Sequence, residues 1–162
     1  MFRNIMAALV STTLLTAAVP AFAATMVKEV SVNADIDAIQ NANAGSHWAT
    51  LVDDLQNAIL ARLADRVSDD GVKVKVDIDT VELANSLQSA VGVADSKLTG
   101  HVSVTSDNDN TKFDAYDLTV SFEQAGPFFL PGTDLTALTT DSKEYYDAMV
   151  AAFADHVATS LD

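Results

Sequence analysis

One amphipathic stretch constrains the fold more than any other part of this chain. Between Trp48 and Val67, apolar side chains fall at Trp48, Leu51, Val52, Leu55, Ile59, Leu63 and Val67, spacings of three and four that gather them on one face of an α-helix. Ser46 stands at the N-cap position and Gly71 at the expected C′ position, after Ser68-Asp69-Asp70. Each large apolar side chain withdrawn from water contributes roughly 1.5 to 3 kcal/mol, so the stripe needs a flat apolar surface beneath it. The flanking segments supply one. Val30, Val32, Ala34 and Ile36 alternate with polar residues before the helix, and Val72, Val74, Val76 and Ile78 alternate with Lys73, Lys75, Asp77 and Asp79 after it. A strand, helix, strand unit of this kind predicts parallel pairing if the two strands are neighbours.

The alternation returns at Leu98, Gly100, Val102 and Val104, and again at Tyr116, Leu118, Val120 and Phe122. Between these runs, Ser106 to Thr111 is dense in turn-forming residues, which predicts a hairpin. The segment from Val81 to Val93 is read as a connection, and Gln124 to Thr140, with Pro127 and Pro131, as a loop with apolar contents. Asp141 and Glu144 resemble a capping box ahead of a second stripe, Tyr146, Met149, Val150, Phe153, Val157 and Leu161. The predicted fold is an α+β two-layer sandwich in the order β-α-β-β-β-α. A four-stranded mixed sheet has both helices on one face and the other face open to solvent.

Residues 1–23 carry one basic residue, an apolar run and an Ala21-Phe22-Ala23 end, the pattern of a cleaved export signal. The remaining 24–162 form a single domain, long enough to bury about two-thirds of its unfolded surface without a staple. Loss of Arg3 from the nine basic residues leaves eight against 23 acidic residues, a net charge of −15 for the processed chain. Such a surface repels nucleic acid and anionic headgroups. No nucleic-acid partner and no stable membrane insertion are expected, and the location is periplasmic or secreted. Cysteine is absent, which excludes disulfides, thiol catalysis and a lipid-anchoring cysteine.

Chemistry is sparse. His47, His101 and His156 lack zinc-site spacing, and no nucleophile elbow or phosphate loop is present. Asp77 and Asp79 lie near His101, where acid-base work needs them, but Lys73 and Lys75 on the same face make ordinary charge pairing the simpler reading. Asp107-x-Asp109 opens like a calcium loop and then departs from it, with Lys112 at the glycine position and Leu118 at the glutamate position. No catalytic residue, metal ligand or cofactor is therefore assigned.

Two surfaces are assigned to binding. The first is the apolar loop Phe128, Phe129 and Leu130; the second is the open sheet face around Lys73, Asp77 and His101. For the loop, a plug beneath the closing helix is the competing role and the favoured one, because paired exposed phenylalanines invite aggregation.

This element order behind an export signal resembles small periplasmic accessory proteins of the outer membrane. The resemblance is to the lipopolysaccharide-assembly lipoprotein type and to the amino-terminal domains of TolB-like and curli-secretion-type proteins. It implies an envelope accessory role and transfers no functional residue, and this chain lacks the lipoprotein cysteine. The expected function is a non-enzymatic envelope accessory or adaptor that binds a protein partner. A small-ligand or cation-binding module using the acidic surface is the alternative, and a small periplasmic enzyme is third.

Overall fold

The computed structural model describes residues 24–34, 48–82, 96–140 and 142–162. The proposed signal, Ile36, Ser46, His47, Asp141 and most of the connection read over 81–93 lie outside these residues.

Four strands, β1 (Val27–Ala34), β2 (Val72–Glu82), β3 (Lys97–Thr105) and β4 (Asp114–Ser121), form one sheet in the order β1-β2-β3-β4. β1 and β2 are parallel, and the other two pairings are antiparallel. Helices α1 (Leu51–Arg62) and α3 (Lys143–Thr159) lie on one face, and a short α2 (Phe122–Ala125) follows β4 directly. This is the α+β sandwich that the alternation predicts. Val30, Val32, Val74, Val76, Leu98, Val102 and Val104 are buried under the helices with Leu51, Leu55, Ile59, Met149 and Phe153.

The two helices run parallel. Tyr146 meets Asp54 near both N-termini, Arg62 reaches Ala151 further along, and Arg66 pairs with Asp162 at the far end. Parallel helices place two positive dipole ends side by side, and Asp53, Asp54 and Glu144 in the first turns offset that charge. Asp54 Oδ2 accepts from Tyr146 at 2.6 Å and from Thr50 at 2.7 Å. Burial, then the bond to Asp54, pushes the Tyr146 phenol well above its ordinary pKa. Trp48 packs edge-on against the same ring, with centroids 5.1 Å apart. The guanidinium of Arg62 donates to the carbonyls of Ala58 at 3.1 Å and Ala151 at 2.9 Å, tying the helices together.

Four boundaries differ from the sequence reading, each for a physical reason. α1 ends at Arg62 with Leu63 as C-cap, whereas the stripe ran on to Val67. Val67 is instead 62% exposed and bridges Val27, because the chain must turn back to the start of β1. Gly71 is therefore no helix cap. A Cβ there would lie 2.5 Å from the Val27 carbonyl carbon and 2.6 Å from the Lys28 nitrogen, so glycine permits the backbone approach that starts the parallel pairing. Gly71→Ala is expected to lower stability by about 1 to 3 kcal/mol, since the obstacle is backbone and cannot rotate away. Urea unfolding measures it; an unchanged midpoint would mean that β1 shifts freely.

β2 also runs further than expected, to Glu82. The register slips by one residue between Ile78 and Thr80, which turns Val81 inward, opposite Leu98. Phe122 leaves the strand to open α2, where Ser121 and Gln124 form a reciprocal capping box. The stretch read as loop, from Gln124, thus contains the end of α2 and a 3-10 turn over Gly126–Phe128. Finally, α3 is capped by Ser142, whose hydroxyl accepts from the Tyr145 amide at 3.2 Å.

Candidate functional site

The uncovered sheet face follows from the same alternation that builds the core. Residues pointing away from the helices stand in rows across the strands, and one row spans the whole sheet: Asn33 faces Asp77, Asp77 faces His101, and His101 faces Asp117. The contacts follow the register. Asn33 Nδ2 donates to Asp77 Oδ1 at 3.2 Å, and His101 Nδ1 lies 2.8 Å from Asp117 Oδ1. A carboxylate only accepts, so this contact places the imidazole proton on Nδ1. Lys75 Nζ donates to the other Asp77 oxygen at 2.8 Å. That bond, the largest influence, holds the Asp77 carboxyl below its ordinary pKa, with further lowering from Asn33 and His101.

Beside this row, Asp107 from the hairpin turn bridges Lys73 at 2.8 Å and Lys28 at 3.2 Å. Its carboxyl is lowered chiefly by the Lys73 bond, and the Lys73 ammonium is raised in return. Thr99 and Thr119 pair their hydroxyls at 3.1 Å on the adjoining strands. The result is a flat polar surface in which opposite charges alternate at short range.

The structure brings Asp77 and His101 together as expected, but Lys73 belongs to the Asp107 cluster beside them. Asp79 falls at the register slip without a β3 partner, so the Asp77–Asp79 pairing does not form a matched carboxylate pair on this face. Asp117 and Asn33 were missed. Both occupy outward strand positions, and only the strand order reveals that they extend the row. Asp109 accepts from the Thr111 amide at 3.0 Å and from its hydroxyl at 2.6 Å, a local turn bond that lowers its pKa. Among the described residues no three His, Asp or Glu side chains converge as a metal site requires.

The apolar loop lies in the other layer. Phe128 and Phe129 are half-buried against the core, with Phe129 tilted on Phe122 at 5.6 Å and Phe122 stacked on Tyr145 at 5.8 Å. Leu130 points outward, 74% exposed. The three residues therefore divide between packing and surface.

A cleft of about 430 Å³ runs outside the helices between α1 and α3, and its polar side chains Asp54, Arg62, Lys143 and Asp147 are paired with protein groups. It is an interhelical seam with its polar groups already satisfied.

No family model matches the chain, and no curated protein matches it. Solved structures overlap it loosely. A PelC dodecamer from Paraburkholderia phytofirmans aligns at a TM-score of 0.41 and 10% identity, over 83% of this chain and 92% of that one. A protein of family DUF330 from Xanthomonas campestris aligns at 0.45 and 15%, over 88% and 85%. These overlaps confirm no specific likeness to the lipopolysaccharide-assembly, TolB or curli-secretion types. Among the described residues no helix is long and apolar enough to cross a membrane.

Proposed function

We propose that this chain is an exported, non-enzymatic accessory or adaptor protein of the cell envelope that binds a protein partner through its open sheet face. One observation carries the reading. A polar row, Asn33–Asp77–His101–Asp117, runs across all four strands, hydrogen-bonded between Asn33 and Asp77 and between His101 and Asp117, with no layer covering it among the described residues. A surface ordered in this way loses little side-chain freedom when a partner settles on it. The export-signal pattern of residues 1–23 supports the envelope location.

Asp77→Ala combined with His101→Ala tests this. Both side chains sit on the uncovered face, so the melting temperature is expected to change little, while crosslinked recovery of a discrete partner from the native cell falls sharply. Undiminished recovery would remove this face from the interaction. A melting shift with calcium at fixed ionic strength, in place of partner recovery, would favour the cation-binding alternative.

A further inference from the structure

The two edges of the sheet are not equivalent. β1 is guarded: the Val27 amide donates to the Arg66 carbonyl at 2.7 Å, its carbonyl accepts from Ser68 at 2.9 Å, and a register irregularity at Lys28 and Glu29 follows. Bulges and charges of this kind are how proteins blunt an edge against strand addition. β4 carries two aspartates but has no bulge. It runs eight residues in unbroken register with β3 and contains no proline or lysine; its outward amides at Ala115 and Ser121 are held by the side chains of Asp114 and Gln124, and those of Asp117 and Thr119 face outward at mid-strand.

The helix layer also stops short of it. Val120 is buried, but Tyr116 and Leu118, on the same core-facing side, are only partly covered, and Phe113 just before the strand is 67% exposed. Phe122 and Phe129, like Tyr116 and Leu118, pack only partly covered against the core. Charge narrows the occupant. β4 carries Asp114 and Asp117 and no basic residue, and Asp117 keeps 79% of its side chain exposed while paired with His101.

The geometry points to β4 as a strand-addition site for an extended segment of a partner protein in which apolar residues alternate with lysine or arginine. The apolar side chains cover Tyr116 and Leu118, the basic ones meet Asp117 on the open face, and the middle of the edge, at Asp117 and Thr119, supplies the backbone hydrogen bonds. A second copy of this strongly acidic chain fits less well, because a two-fold β4 pairing sets Asp117 near its own equivalent. This site deepens the partner-binding reading and rests on it for the kind of partner.

The test uses the processed chain and a capped synthetic peptide of alternating valine and lysine, eight residues long to match β4. Amide hydrogen exchange is expected to show new protection at Asp117 and Thr119 and none along β1. The same peptide with glutamate for lysine should bind at least about tenfold more weakly, and a central proline should abolish protection. Asp117→Lys should reverse the charge preference while leaving the fold intact, since that side chain is exposed. Leu118→Lys should weaken both peptides, with its fold checked by circular dichroism. No protection, protection at β1, or equal binding of the glutamate peptide would overturn the proposal. So would a peptide-free dimer with protected β4 amides, which would identify the second copy as occupant. Partner crosslinking that persists when the peptide fails would sink the strand-addition site and leave the adaptor reading standing.

Discussion

Phe153→Ala is expected to cost the fold about 3 to 5 kcal/mol, a large fraction of what a domain of this size has. Phe153 is fully buried at the centre of the contact between α3 and the sheet. The sheet is shaped to receive it. Gly100 on β3 has no side chain, and a Cβ there would lie 3.3 Å from the Phe153 ring and 2.9 Å from both the Asp77 carbonyl and Ile78 Cδ1. The glycine that reads as one more inward position of an alternating strand is thus the seat of the closing helix. Truncation leaves a cavity that rigid strand backbone on one side and α1 on the other cannot collapse to fill. Urea denaturation with an unchanged slope should report the loss as a lower midpoint. A loss below about 1 kcal/mol would mean that α3 does not close the core.

Replacing Phe128 and Phe129 together by serine is the second large effect, roughly 3 to 5 kcal/mol for the pair if their half-buried rings stabilise the fold as the packing indicates. The Phe129 ring continues the series Tyr145–Phe122, and Phe128 packs against the core beside it in sequence, so their removal uncovers the end of the core next to α2. Leu130→Ser, at an outward position, is expected to change the melting temperature little. The pair of variants separates the two roles assigned to this loop. Partner recovery retained in the folded fraction of the double variant would leave Phe128 and Phe129 as plugs. Unchanged stability with recovery lost would make them contacts.

Much of the architecture was legible because burial on one face imposes a period that survives in the residues. Leu98, Gly100, Val102 and Val104 could be placed inward with no other information, and the same parity put Lys73, Asp77 and His101 on the open face. The misreadings occur where the period is interrupted. Val67 sits four residues beyond Leu63 and continues the stripe on paper, yet the chain has already left the helix to reach Val27. A one-residue bulge after Ile78 moves the inward positions from even to odd numbers, which hid Val81. Phe122 fits the β4 alternation, but Ser121 and Gln124 three residues apart are the capping signal that overrode it.

The candidate site was half legible for a related reason. Parity assigns a residue to a face and says nothing of its neighbours across the sheet. His101 and Asp117 are 16 positions apart and Lys73 and Asp107 are 34, distances bridged only by strand order and the hairpin register. Sequence also gives no sign that β4 is a sheet edge, because edge position is a property of the assembled sheet.

Position-resolved photo-crosslinking in the native cell tests the central claim most directly. A photoreactive residue placed at Ser103 or Thr119 samples the open face next to His101 and β4, and one at the exposed Asn57 samples the outside of α1. The account predicts one discrete heavier adduct from Ser103 and Thr119 and none from Asn57. Adducts from Asn57 alone, or no adduct at the sheet positions while the protein is folded and exported, would contradict it.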